Sequence, residues 1–214
     1  MSDAEKWWVT PKRRLKDIPK NRTLDDKIDI FYERIYGWKL DIADQLINGK
    51  VIQNEKGKVI IEGNPHAAYA TMDIILSYFE MIAKYRDGYT KNGKSRFYFK
   101  KGFCSVFAEE VANIKEEKMR STLEKLLDTL YDGARCGMYH MGFTDTRIFL
   151  AAPETPPFKS DSLGRITLNP NKLVKLIIIH FNSYIKQLKD CNNTSLRNNF
   201  EQRFDFDTKN IFKK

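Results

Sequence analysis

Apolar residues at Ile28, Phe31, Ile35, Trp38, Ile42 and Leu46 recur at three- and four-residue spacing, the period of a helix with one face turned to a core. Thr23 precedes this run, and Asp25 and Asp26 lie between the two. A hydroxyl cap and an acidic first turn suit the positive end of a helix. Asn48-Gly49 stops the pattern. The next stretch, "KVIQNEKGKVIIEG", carries two β-branched runs around Asn54–Gly57 and predicts a hairpin. Asn64-Pro65 then opens a second helix, a capping residue followed by proline at the first helical position. It runs to about Arg86, with Tyr69, Met72, Ile75, Phe79 and Ile82 inward.

A third helix is expected over about 98–114, although "RFYF" also reads as a strand. A fourth covers 116–140, where Leu123, Leu126, Leu127, Leu130, Ala134 and Met138 form the inner stripe. Two β-like runs follow, "RIFLAA" and "RITLN", joined by the Pro-rich loop "PETPPFKSDSLG". Asn169-Pro170 repeats the helix-start signal for a fifth helix over 170–190, with Leu173, Ile177, Tyr184 and Leu188 inward. These elements predict a mainly α fold, an up-and-down helical bundle with small β-hairpin insertions. Residues 1–22 read as a basic N-terminal arm that Trp7-Trp8 can dock, residues 23–190 as the helical domain, and residues 191–214 as a polar C-terminal tail, loosely held.

Composition narrows the function. A chain of 214 residues, 42% hydrophobic, suffices for one core of ordinary size. No apolar run approaches the roughly 18 residues of a membrane span, and no apolar signal region follows Met1, so no membrane association and a cytoplasmic location are expected. Cys104, Cys136 and Cys191 are scattered, which suits reduced thiols. The net charge of +9 favours an anionic partner, nucleic acid first; the alternative is a protein that is basic without such a partner. Residues 1–22 hold seven Lys or Arg against three acids. In "KNGKSRFYFKK", residues 91–101, Lys94, Arg96, Lys100 and Lys101 are candidate RNA-binding cations around Phe97, Tyr98 and Phe99. Those rings either stack bases or belong to the core.

Several chemistries are missing. The chain has no GxxxxGK[ST] phosphate loop and no GxSxG elbow. Its Cys and His residues lack paired ligand spacing, so neither a structural zinc nor any other metal or cofactor is expected. Asp205 and Asp207 read as solvated charge, His180 as a satisfied core histidine, and His66 as a first-turn residue without an evident task.

The stretch "YDGARCGMYHMGF", residues 131–143, stands out because two glycines in a helix cost about 1 kcal/mol each. Gly133, Gly137 and His140 share one helix face, where a second helix or a phosphate can come close to the backbone. Arg135 and His140 lie about 140° apart and about 7.5 Å along a straight helix, and they converge if the helix bends near Gly137. Alternatively, Arg135 pairs with an acid such as Asp132 and His140 caps a helix C-terminus.

"R-CGMY-H" resembles the Arg-four-residues-His motif of HEPN domains, which that family carries late in a long helix of a helical bundle. The likeness covers about residues 24–190 in architecture and about ten residues in sequence. It implies a metal-independent endoribonuclease acting on single-stranded RNA, with Arg135 and His140 as catalytic residues. It also implies a homodimer with Gly133 and Gly137 at the helix–helix interface, in a toxin–antitoxin or antiphage setting, with a protein antitoxin as a further partner. An imidazole titrating near neutrality can move a proton between a 2′-hydroxyl and a leaving oxygen, and an arginine can hold the scissile phosphate. The residue after the arginine is often a polar Asn, Asp or His in active members of the family and is Cys136 here, so a catalytically silent HEPN-like module that binds RNA or a protein is the alternative.

Overall fold

A π-helical turn breaks the first long helix and changes which of its residues are buried. In a computed structural model of the chain, residues 6–54, 57–112, 117–136, 146–151, 155–161 and 163–212 are described. Helix α1, Leu24–Ile35, starts on Thr23, whose hydroxyl accepts from the Asp26 amide while the Asp26 carboxylate accepts from Thr23. This reciprocal box satisfies two of the helix's unpaired amides. The π turn Tyr36–Leu40 then precedes α2, Asp41–Asn48. One extra residue in the turn advances the helix phase by one position. Leu40, Ala43 and Ile47 are therefore buried, whereas the expected Trp38, Ile42 and Leu46 are exposed. Within the turn Gly37 faces Pro11, and an added Cβ would sit 2.7 Å from the proline ring.

The hairpin is as expected, with β1, Lys50–Asn54, antiparallel to β2, Gly57–Ile61. A 3-10 turn at Pro65–Ala67, capped by the Asn64 side chain, leads into α3, Ala68–Asp87. Met72, Ile75, Phe79 and Ile82 are buried and Tyr69 is exposed. Helices α4, Ser95–Val106, and α5, Ala108–Ala112, occupy the expected third helix, and "RFYF" is helical. Helix α6, Glu117–Leu130, continues into a second π turn, Tyr131–Cys136. The last four positions of the expected fourth helix, Met138 and His140 among them, lie outside the described residues.

The two β runs are β3, Ile148–Leu150, and β5, Ile166–Leu168, paired in parallel. Between them the Pro-rich loop contains a strand that the sequence reading missed, β4, Phe158–Ser160, antiparallel to β5. Helix α7, Pro170–Lys189, starts on Asn169 and buries Leu173, Ile177, Tyr184 and Leu188 as expected. The loose tail is corrected: Thr194–Thr208 forms α8 and buries Phe200 and Phe204. Its apolar residues are too few to stand out, and charges supply much of its anchoring. Lys27 pairs with Glu201 at 2.7 Å and Asp205 at 2.8 Å, and Arg197 with Asp25 at 3.1 Å. Asp207, expected as solvated charge, pairs with Arg203.

The chain divides into two compact units, Met1–Ile42 with Lys84–Gly93 and Ile178–Lys214 in one, and Ala43–Ala83 with Lys94–Ile177 in the other. In the first, Phe31 is the centre of an aromatic cluster with Tyr85, Phe181 and Phe200, at ring separations of 4.3, 5.7 and 5.3 Å. The arm is held here by Val9 and Ile18, which are buried, while Trp7 and Trp8 are exposed, contrary to expectation. Thr10 donates to Glu33, and Arg13 pairs with Glu33 at 2.9 Å. In the second unit Phe79 packs on Phe99 and Phe103, and Phe103 on Phe107 and Phe158. Gly102 lies so close to the Phe79 carbonyl that an added Cβ would clash, which fixes the spacing of α3 and α4. Among the described residues no helix is long and apolar enough to cross a membrane.

Candidate functional site

The motif arginine sits on the π turn at the end of α6. Tyr131 begins this turn, Gly133 and Ala134 are buried in it, and Arg135 and Cys136 close it half-buried. The Arg135 Nε atom is buried. The Tyr131 ring packs against Phe99 of α4, centroids 5.4 Å apart. Burial raises the Tyr131 pKa, the Cys136 thiol in hydrogen-bond contact and the Glu80 carboxylate add to that rise, and the Arg135 cation opposes it. Tyr131, Arg135, Cys136 and Glu80 are thus one electrostatic neighbourhood, and Glu80 accepts a 2.8 Å hydrogen bond from Ser95. Gly133 is buried within the chain. Gly137 and His140 lie outside the described residues.

Helix α4 enters from Gly93, φ 84°, and Lys94, φ 57°. Both residues are left-handed, which a lysine rarely adopts. Successive helical residues step by about 100°, so the interleaved aromatics separate: Tyr98 and Phe99 are core and Phe97 is exposed. Lys94 and Lys101 are exposed. Arg96 and Lys100 are engaged instead with α6 and the π turn. Arg96 grips Asp132 through both terminal nitrogens, at 2.8 and 2.6 Å, and reaches Asp128 at 3.0 Å. Its guanidinium lies over the Tyr131 ring, 5.0 Å from the centroid. Lys100 contacts Glu124 and Asp128, each at 2.8 Å. The Asp132 and Asp128 hydrogen bonds raise the Arg96 pKa. Burial works against the Lys100 cation, and Asp128 and Glu124 more than offset it. Lys100, aided by Arg96, holds Asp128 below the ordinary carboxylate range.

Beside this lattice lies an open groove of about 400 Å³ lined by Arg96, Phe97, Lys100, Lys101, Cys104 and Glu124. Its lining combines the paired Arg96 and Lys100 cations and the exposed Lys101 with the Glu124 acid and the exposed Phe97 ring. No family model, curated protein or solved structure matches the chain.

The acids at the site were missed in the sequence, although a signal existed. Arg96 and Lys100 are spaced four apart, and so are Glu124, Asp128 and Asp132. Two helices carrying opposite charges at that period can pair along their length. His180, on the other unit, is half-buried, and its pKa is pulled down to about 4 by burial and by the Arg86 cation. Among the described residues no three His, Cys, Asp or Glu side chains converge as a metal site needs.

Proposed function

We propose that the chain is a metal-independent endoribonuclease of the HEPN type that cleaves single-stranded RNA through Arg135 and His140. In this reading it acts as a homodimer in a toxin–antitoxin or antiphage setting, with a protein antitoxin as partner in the former. One observation carries most of the support: Arg135 is borne by a π turn, half-buried beside Tyr131 and Cys136. Such turns cluster at functional sites, and this one falls where the motif spacing puts its arginine.

The reaction balances without a metal. His140 takes the 2′-hydroxyl proton as the O2′–P bond forms and returns a proton to the 5′ oxygen as the P–O5′ bond breaks, so the imidazole ends as it began. The products are a 2′,3′-cyclic phosphate and a 5′-hydroxyl. Arg135 stabilises the charge that grows on the phosphate oxygens. Arg96, Lys100 and Lys101 of the groove beside the exposed Phe97, with Lys94 at the start of that helix, supply the RNA-binding cations in this scheme.

The second reading is a catalytically silent module that binds RNA or a protein: the Arg96 and Lys100 charges are already met by Asp128, Asp132 and Glu124, which favours a protein over RNA as the partner of that groove. A time course on mixed single-stranded RNA in EDTA separates the two. The ribonuclease reading expects cleavage to 2′,3′-cyclic ends, slowed about 10²–10⁴-fold by His140→Ala and comparably by Arg135→Ala. Equal cleavage by wild type and His140→Ala removes His140 from the mechanism. Absence of cleavage with retained RNA affinity selects the silent module.

A further inference from the structure

The β1–β2 hairpin is apolar where it meets solvent. The register pairs Val51 with Ile60 and Ile52 with Val59, so apolar side chains occupy both faces. Val51, Ile52, Val59, Ile60 and Ile61 are 57%, 39%, 43%, 63% and 46% exposed. Among the described residues no third strand extends the sheet on either side. A lone two-stranded hairpin is marginal in water, and an open strand edge is a template for another strand.

We propose that the outer edge of β2 pairs antiparallel with the same edge of a second copy of this chain, forming a four-stranded sheet across a two-fold axis at Ile60. The strand's own pattern selects the occupant. Antiparallel pairing of two identical strands needs a two-fold axis normal to the sheet, which leaves each face in place. One residue must then face itself. With Lys58 on the axis, like charges oppose, which is destabilising. With Val59 there, Lys58 faces Ile60. With Ile60 there, Ile60 meets Ile60, Val59 meets Ile61, and Lys58 meets Glu62 of the second copy. The segment Lys58-Val59-Ile60-Ile61-Glu62 is therefore self-complementary in charge and in hydrophobicity. Among the described residues neither Lys58 nor Glu62 has an ion-pair partner, so both are available. Strand β1 lacks this property, because Ile52 on the axis sets Lys50 against Asn54 and Val51 against Gln53. The pairing stands independently of the ribonuclease reading.

Sedimentation equilibrium at low salt tests the pairing. The wild type is expected to show a monomer–dimer equilibrium. Lys58→Glu and Glu62→Lys, both at exposed positions, should each weaken the dimer about tenfold, because each creates two like-charge contacts across the axis. The double swap Lys58→Glu/Glu62→Lys should restore it. Register is read by cross-linking on a Cys191→Ser background. Cα atoms of directly opposed residues lie about 4.5–5.5 Å apart, within disulfide reach, so Ile60→Cys should link under mild oxidation. Lys58→Cys should not, being four residues from its own copy, about 13 Å. A wild type that stays monomeric at all concentrations, a dimer indifferent to the swaps, or equal cross-linking at both positions overturns the proposal.

Discussion

Two small β structures in this chain, both rich in apolar residues, have opposite fates. The sheet β3–β5–β4 buries Ile148, Ile166 and Leu168 and sets Phe158 against Phe103 and Phe107. The hairpin β1–β2 has more β-branched residues, five against three, and leaves its apolar side chains in solvent. β-Branched runs favour a pleated strand whether or not anything covers it. Cover decides the consequence: behind the first structure lie the aromatic residues of α4 and Phe107, and among the described residues nothing comparable covers the second. Apolar area contributes to folding in the first and is left for association in the second.

The comparison is most directly broken by matched truncations. Ile166→Ala removes buried methylenes from a filled core and should cost about 2–5 kcal/mol in urea unfolding. Ile60→Ala should change stability by no more than about 0.5 kcal/mol when measured dilute, where association does not contribute. Comparable losses at the two positions would show that the hairpin is covered in solution.

The next effect concerns how an uncovered hairpin is held. Its root is fixed by the backbone. Gly49 adopts φ 75°, and a Cβ there would sit 2.2 Å from the Ile61 carbonyl oxygen. The Asn64 amide also donates to Leu46 at 2.7 Å. Gly49→Ala combines a left-handed backbone with a clash, so its cost should exceed about 1 kcal/mol, and it should displace the β2 edge and weaken the dimer. A fully stable variant with undisturbed dimerisation would mean that the root does not set the edge.

Legibility in the sequence follows the same division. Helix starts were readable because Thr23, Asn64 and Asn169 act locally, through their own side chains. The stripe through Trp38, Ile42 and Leu46 was misread because a π turn leaves no periodic trace and shifts every later position by one. Helix α8 was missed because Phe200 and Phe204 stand among charges whose partners, Lys27 and Asp25, are far away in sequence. At the candidate site, Arg135 was found by motif spacing, whereas Glu80 and Tyr131 become neighbours only through the packing of α3, α4 and the π turn. The hairpin was recognised as β, but the alternation that marks strands says nothing about what lies over them.

The smallest expected effect is a pH dependence confined to the covered sheet. Asp161 forms the turn between β4 and β5. Its carboxylate accepts from the Leu163 amide at 2.9 Å, from the Arg165 amide at 3.0 Å and from the Arg165 guanidinium at 2.6 Å. The Arg165 side chain, followed by its amide, holds the Asp161 pKa below the ordinary aspartate value. A carboxyl group with a depressed folded-state pKa favours folding above its unfolded value, and this contribution disappears as pH falls through the depressed one. Asp161→Asn should therefore speed hydrogen exchange at Ile166–Leu168 near neutral pH, and the difference from wild type should vanish in acid. Amides of the hairpin should be unaffected by the substitution at either pH, since Asp161 anchors only the turn of the covered sheet. A difference that persists unchanged into acid would mean that the turn is held by shape and not by the carboxylate charge.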